Sequence, residues 1–269
     1  MSFANTWINP YNSLMKLTQD PVSGALTGTY SSTTDGSGTY DVTGWASLGN
    51  ATTAAGQTMA ISILWRSNDG GISDPSHEVS AMAGQVVAVN PGENLVLVHI
   101  FVETKTGVTP KRGIYPDKLV FTPTTLTAAA PTNPTAPIPV TKANSGYTDN
   151  LSGVWHGKTL SGQMQITFRF PVPGQPQLEG SILYGTGHKY PITGFTDIFA
   201  EAADFEWQGI TFSTYIDSPD GRLCISMAGY LSLKNHMIHF TSMVSQSTPS
   251  DSTWYQVAKE QWIFAKKAK

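Results

Sequence analysis

The sequence repeats itself once, and this internal duplication constrains the fold more than any single residue does. Tyr40–Trp45 recurs as Tyr190–Phe195, with tyrosine, threonine, glycine and an aromatic residue at matching places. Met82–Gly84 recurs as Met227–Gly229, in the same order along the chain and again roughly 150 residues later. We therefore expect two homologous domains, each large enough to form its own hydrophobic core.

The composition narrows the class of protein and its partners. Charged residues make up 13% of the 269 residues, while glycine (25) and proline (17) are abundant, which is typical of β-rich proteins with many turns. The net charge of −3 offers no basic excess for binding nucleic acid. Cys224 is the single cysteine, which excludes an intrachain disulfide. Without a leader-like N-terminus or a long apolar run, we expect a cytoplasmic protein with no membrane partner.

Alternating apolar residues predict short β-strands on both sides of a proline-rich segment. Met59–Trp65 and Leu95–Val102 show this period of two in the first half, and Met164–Phe170 and Gly209–Tyr215 show it in the second. Many short strands separated by turns favour an all-β sandwich or an up-and-down barrel. The predicted boundaries are 1–122 for the first domain, 123–150 for a Pro-rich linker and 151–269 for the second domain.

Several stretches of the first half resemble the avidin and streptavidin family. Thr6–Ser13 is similar to the first strand of the family and Gly24–Ser32 to its second, while Tyr40–Trp45 is similar to the third. Trp65–Asn68 is similar to the end of the fifth strand or a neighbour, and Ser80–Gln85 to the sixth. The resemblance implies two tandem eight-stranded antiparallel up-and-down barrels, of a size that encloses one small ligand.

The resemblance also implies a ligand site in the first barrel. In the family an Asn, a Ser and a Tyr donate hydrogen bonds to the ureido oxygen of biotin, and the matching residues here are Asn9, Ser13 and Tyr30. Strand parity predicts that residues 9 and 13 share one strand face. The other ligand contacts implied by the resemblance are Ser32, Trp65, Ser80, Met82 and Phe101.

Some positions of the first half depart from the family pattern. Met82 stands where the family has Trp or Phe, and Phe101 stands in place of a Trp. The final-strand Asp of the family falls on Leu119, and Asp117 lies two residues away. Because a buried aromatic or charged contact contributes about 1 to 3 kcal/mol, these changes predict weaker biotin binding than the family shows.

The second half keeps the fold pattern and loses the donors. Trp155 repeats Trp7, and both are expected in barrel cores, whereas Gly157 replaces Asn9 and Ile182 replaces Tyr30. We therefore expect a diverged barrel without a second identical biotin site. Nor is a metal site expected at His236–His239, because residues three apart on a strand face opposite sides.

Three classes of function follow from these observations. The first is a barrel that binds biotin or another carbonyl- or urea-bearing ligand with an apolar tail. The second is a β-barrel cyclase or isomerase whose cavity donors polarise a substrate carbonyl, although no catalytic residue or cofactor is evident. The third is a sugar-binding or defence protein. For assembly, the family resemblance implies a barrel–barrel pseudo-dimer within the chain and a homodimer of chains.

Overall fold

The computed structural model of the protein describes residues 6–32, 38–66, 77–104, 114–125, 149–159, 162–184, 187–200, 206–251 and 257–266. Within these ranges every regular element is a β-strand, and the strands form two closed antiparallel barrels. No helix in the described parts of the chain is long and apolar enough to cross a membrane. The predicted all-β fold with tandem eight-stranded barrels is confirmed.

The first barrel is made of eight strands that neighbour each other in chain order. They are β1 (Thr6–Ile8), β2 (Leu14–Gln19), β3 (Ala25–Ser32), β4 (Gly38–Ala46), β5 (Gln57–Leu64), β6 (Glu78–Ala88), β7 (Glu93–Glu103) and β8 (Ile114–Thr124). The barrel closes because β1 pairs with both β2 and β8. Since β8 ends at Thr124, it extends two residues into the predicted linker, most of which lies outside the described residues.

The second barrel has the same number of strands and the same closure. Its strands are β9 (Gly153–Thr159), β10 (Gly162–Arg169), β11 (Gln177–Tyr184), β12 (His188–Thr196), β13 (Trp207–Ser218), β14 (Gly221–Ser232), β15 (Met237–Ser245) and β16 (Val257–Lys266). Here β9 pairs with both β10 and β16. The order of strands in one barrel therefore reproduces the order in the other.

The repeated sequence motifs mark close approaches between neighbouring strands. A Cβ atom added to Gly44 or to its repeat Gly194 would lie 2.1 Å from a carbonyl oxygen of the adjacent strand. At Gly84 and its repeat Gly229 the corresponding distances are 2.0 and 1.8 Å. Because a side chain cannot fit at such distances, glycine is required at these positions in both barrels. The duplication thus preserves the backbone of the barrel.

Each barrel has its own apolar interior that includes one repeated tryptophan. Trp7 and Trp155 are both almost completely buried, as predicted for core residues. The indole N–H of Trp155 donates to the Leu151 carbonyl oxygen at 2.7 Å. The indole N–H of Trp7 is buried without a hydrogen-bond partner among the described residues. The two cores are therefore equivalent in position but differ in this polar contact.

The barrels pack against each other through their outer faces. The Thr43 and Thr193 hydroxyls lie 2.8 Å apart, and so do the Ser62 and Ser213 hydroxyls. Thr43 pairs with Ser62 in the first barrel as Thr193 pairs with Ser213 in the second, so each contact joins equivalent residues. Such self-matching contacts place a pseudo-twofold axis between the barrels. The buried apolar residues around it are Ala60, Leu64, Val79, Ala81, Ala83, Ile100, Val102, Phe195, Cys224, Ala228 and Met243.

The pseudo-twofold axis sets the two barrels side by side in opposite directions. We call one end of the first barrel the mouth; it is formed by Asn9–Ser13, Trp65–Arg66, His77 and Thr104. The connection after β12 in the second barrel adjoins this mouth, because Asp197 contacts His77. At the opposite end of the first barrel, the Ser250 hydroxyl accepts a hydrogen bond from the Ala88 N–H at 2.9 Å.

Candidate ligand site in the first barrel

The structure brings the three predicted donors together just inside the mouth. Asn9, Ser13 and Tyr30 are all buried, and the Tyr30 side chain is hydrogen-bonded to the side chains of both Ser13 and Asn9. Tyr30 lies on β3 and faces the barrel interior with Leu26, which belongs to the same core cluster. The cluster therefore presents hydroxyl and amide groups at the upper surface of an apolar core.

The local geometry of this cluster differs from the predicted strand parity. Asn9 and Ser13 lie in the turn between β1 and β2, where Asn12 has a positive φ of 62°, so the prediction that they share one strand face is wrong. The Asn9 Oδ1 atom accepts the backbone N–H groups of Tyr11 at 3.0 Å and of Ser13 at 2.9 Å. This turn, which the Asn9 side chain stabilises, brings the donors together. The stretches similar to the second and third family strands accordingly form β3 and β4.

Tyr30 is held in its protonated, hydrogen-bonding form. Burial raises the pKa of Tyr30, while the hydrogen bonds from Ser13 and Asn9 lower it by a smaller amount. That lowering is the direction expected when both neighbours donate to the phenolic oxygen. A phenolic hydroxyl also has one proton of its own to donate. Tyr30 is thus suited to donate this proton to an oxygen atom inside the barrel.

A second polar group lies across the mouth and includes a residue that sequence reasoning missed. The Ser80 hydroxyl accepts a hydrogen bond from the Trp65 indole N–H at 2.5 Å and lies 2.7 Å from the His99 Nε2 atom. Burial lowers the pKa of His99 to about 4, opposed by the charge of Asp117, so the imidazole is neutral at pH 7. His99 is two residues from Phe101 on β7, and this spacing places both side chains on the same strand face, which could have marked His99 as a site residue.

Aromatic rings surround Trp65 at the mouth. The ring centroid of Trp65 lies 5.4 Å from that of Tyr30, 4.8 Å from that of Tyr40 and 5.9 Å from that of Phe101. Tyr40 was missed as a site residue, although it belongs to the repeated motif and pairs in register with Tyr30. Trp65 and Phe101 are each only partly buried. Their remaining exposed surface is available for an apolar contact beside the donors.

The other predicted positions lie deeper in the barrel or at its rim. Ser32 is buried at the end of β3, and Met82 is fully buried in the core cluster two residues beyond Ser80 on β6. Leu119, which stands at the place of the family Asp, is also part of that core. Asp117 is exposed and pairs in register with His99. No carboxylate therefore replaces the family Asp at position 119 itself.

Apolar residues stand at three of the equivalent positions of the second barrel. Strand registers match Tyr30 with Ile182, Ser80 with Ile225 and Phe101 with Val244. At Gly157, the counterpart of Asn9, an added Cβ would lie 2.5 Å from the Phe264 ring, so an aromatic residue fills that space. Ser161, the counterpart of Ser13, lies outside the described residues. The described counterparts do not form a donor cluster.

Comparison with known proteins supports the assignment of the first barrel. The family model of the Avidin family matches residues 1–106, which span β1 to β7 and contain every ligand contact predicted from the sequence. A comparison with curated proteins gives no match. The structure adds the eight-stranded closure that this family resemblance implied. Residues 1–106 of the chain are therefore similar to the avidin family, and the second barrel repeats the same fold.

Proposed function

We propose that the first barrel binds a small molecule whose carbonyl or urea oxygen lies at the cluster of Asn9, Ser13 and Tyr30 and accepts a hydrogen bond from the Tyr30 hydroxyl. The observation that carries this proposal is the buried Tyr30 hydroxyl, which two side-chain neighbours orient while its own proton is left to donate. Neutral donors in an apolar surrounding match an uncharged oxygen acceptor, because neither partner brings a buried charge. Biotin, whose ureido oxygen is of this kind, is the first ligand to test.

The aromatic mouth supports a ligand with an apolar part next to its polar head. Trp65 and Phe101 offer partly exposed ring surface at the mouth, with Tyr40 behind Trp65. The Ser80 and His99 side chains add a polar edge on the opposite side of the site. A urea or amide head would occupy the Tyr30 side, and an apolar tail would lie against Trp65.

The decisive experiment is a calorimetric titration of the full chain with biotin. We expect a saturable signal, and we expect Tyr30→Phe to weaken binding roughly 10- to 100-fold, because removing one buried donor costs about 1 to 3 kcal/mol. Tyr190→Phe is the matched control, since Tyr190 lies in the second barrel at the position equivalent to Tyr40. Its affinity for biotin should equal that of the unmodified protein.

Two results would contradict the proposal in different ways. The absence of both heat and thermal stabilisation at millimolar biotin would exclude biotin. A cyclic urea without a tail then tests the donor cluster alone. Equal biotin affinity in Tyr30→Phe and in the unmodified protein would place the bound ligand away from the Asn9, Ser13 and Tyr30 cluster.

A further inference from the structure

The second barrel contacts the mouth of the first barrel through one buried acidic residue, Asp197. The His77 Nδ1 atom lies 2.5 Å from one carboxylate oxygen of Asp197, and the Arg66 Nη2 atom lies 3.9 Å from the other. The side chains of Asp197 and Arg66 are 1% and 4% exposed, so solvent screens this charge cluster only weakly. Arg66 and His77 flank the connection from β5 to β6, so a single carboxylate fixes both of its ends.

Asp197 is itself held firmly within the second barrel. Its backbone N–H donates to the Gly209 carbonyl oxygen at 2.9 Å, and its Oδ1 atom accepts the Phe199 N–H at 3.1 Å. The Arg66 guanidinium lies over the Phe199 ring, 4.3 Å from the ring centroid. This contact adds a cation–π attraction to the ion pair. Contacts within the second barrel therefore fix the position of the carboxylate that Arg66 and His77 bind.

The charge cluster is next to the candidate ligand site in the chain and in space. Trp65 precedes Arg66, and its backbone N–H donates to the carbonyl oxygen of Glu78, the residue after His77, at 3.0 Å. The indole of Trp65 then donates to Ser80 inside the mouth. A displacement of either end of the connection would move the Trp65 ring, because its backbone is bonded to both flanks.

A second contact from the other barrel supports the same strands. The Thr211 hydroxyl of β13 donates to the backbone carbonyl oxygen of Ser80 at 2.8 Å, and both residues are completely buried. Gly209 on the same strand leaves room for Val79, since an added Cβ would lie 3.3 Å from that side chain. The second barrel thus contacts the backbone that carries Ser80 as well as the flanks of Trp65.

We infer that Asp197 of the second barrel is a positioning residue for the ligand site of the first barrel, and that it acts by fixing Trp65 through Arg66 and His77. The inference rests on the proposed ligand site. The position equivalent to Asp197 in the first barrel is Ser47, by the register of β4 and β12 with their neighbours. The first barrel therefore has no carboxylate at the equivalent position, and the Asp197 contact supports only the barrel that carries the donors.

The first experiment needs no ligand. In the indole N–H spectrum of the full chain labelled with ¹⁵N-tryptophan, Trp65→Phe identifies the Trp65 signal by its loss. We expect Asp197→Asn to shift or broaden that signal and to leave the signal of Trp155, which is bonded within the second barrel, unchanged. Asp217→Asn is the matched control, because the exposed Asp217 pairs with Arg222 away from the mouth. An unchanged Trp65 signal in Asp197→Asn would overturn the inference.

The second experiment measures the effect on binding. We expect Asp197→Asn to weaken biotin binding by roughly 3- to 30-fold, the range of energetic coupling seen between connected residues. In a Trp65→Phe background the same change should have a much smaller effect, because contacting partners are not additive. An equal loss in both backgrounds would overturn the route through Trp65. If the unmodified protein does not bind biotin, the proposed ligand is wrong, and the indole spectrum still decides the positioning role.

A further pair of variants covers the case in which Asp197→Asn does not fold. Thr211→Val keeps the side-chain volume and removes only the hydrogen bond to Ser80. Its matched control is Thr193→Val, which breaks the Thr43 contact on the pseudo-twofold axis. We expect Thr211→Val to shift the Trp65 signal and Thr193→Val to leave it in place. Identical spectra for the two variants would contradict the support at Ser80.

Discussion

The interiors of the two barrels differ at the mouth of the first and at the equivalent end of the second. In the first barrel Tyr30 and Ser80 place hydroxyl groups beside the Trp65 ring, and in the second Ile182 and Ile225 occupy the same positions. The backbone positions that need glycine, such as Gly44 and Gly194, are the same in both. The two barrels therefore share these backbone positions while their interior side chains differ.

The two barrels also differ in the connection between the fifth and sixth strands at this end. The connection from β5 to β6 runs from residue 65 to residue 77, whereas the equivalent turn from β13 to β14 consists of residues 219 and 220. The short turn places Asp217 and Arg222 side by side, 2.8 Å apart between Oδ1 and Nε. The long connection instead separates Arg66 from His77, and a residue of the other barrel joins them. At this end Asp217 and Arg222 pair within the second barrel, whereas Arg66 and His77 of the first barrel share a carboxylate of the second.

The largest effect is expected where an apolar position of the second barrel is given the residue found in the first. Ile225→Ser would leave a cavity and bury a hydroxyl among apolar side chains, and we expect it to lower the free energy of unfolding by about 4 kcal/mol. Ser80→Ala, which removes one hydroxyl from the first barrel, should cost only about 1 to 2 kcal/mol. Urea unfolding followed by circular dichroism measures both. Equal costs would show that the two interiors are alike.

A smaller and symmetric effect is expected at the repeated glycines. Gly44→Ala and Gly194→Ala should each cost about 3 kcal/mol, because the new methyl group meets a backbone carbonyl that a closed barrel cannot easily move. Gly49→Ala is the control, since a methyl group added there would have no neighbouring atom within 4 Å, and the cost should stay within about 0.5 kcal/mol. A clear difference in free energy of unfolding between Gly44→Ala and Gly194→Ala would show that the two backbones are not equivalent.

The buried imidazole of His99 predicts a pH dependence of the stability of the first barrel. Burial lowers the pKa of His99 from 6.5 to about 4, so between these values the unfolded chain binds a proton that the folded protein does not. The free energy of unfolding is therefore highest above pH 6.5, and it decreases as the pH falls towards 4. Relative to His99→Gln, the unmodified protein should lose about 1 to 3 kcal/mol over this range.

Calorimetric scans at several pH values between about 7 and 4 test this dependence on His99. Ser242→Ala is the control, because Ser242 occupies the equivalent position in the second barrel. Its stability should fall with pH in parallel with that of the unmodified protein. If the stability of His99→Gln also decreased in parallel with that of the unmodified protein, His99 would not be the group that causes the pH dependence.

The smallest effect distinguishes the two core tryptophans. Trp155→Phe removes the donor to the Leu151 carbonyl oxygen, whereas Trp7→Phe removes an indole N–H that has no partner among the described residues. We expect Trp155→Phe to cost about 1 kcal/mol more than Trp7→Phe, because it leaves a buried acceptor unpaired. Thermal unfolding of the two variants under identical conditions measures the difference. A larger cost for Trp7→Phe would contradict this assignment.

The sequence predicted the barrels well because their determinants are repeated and local. Gly44 and Gly194 mark the close strand approaches. The role of Asn9 and Tyr30 as ligand contacts stays a prediction from the family resemblance, and a turn, not strand parity, brings Asn9 beside Tyr30. His99 was missed because its one signal, the spacing of two residues from Phe101, places it on a strand face and does not identify a contact with Ser80. The contact between His77 and Asp197 joins residues 120 positions apart in different barrels, and no local pattern encodes such a contact.

Thr43 and Thr193 meet on the pseudo-twofold axis as parts of one polypeptide. Joining two partners covalently gives them an effective concentration of about millimolar, whatever the concentration of the chain. The paired arrangement of barrels should therefore persist on dilution to levels at which separate subunits with the same contacts would part. A substitution on one side of the axis also leaves the other side unaltered, which two identical subunits could never achieve. For this reason the fused pair can carry Asp197 in the second barrel and Ser47 at the equivalent position of the first.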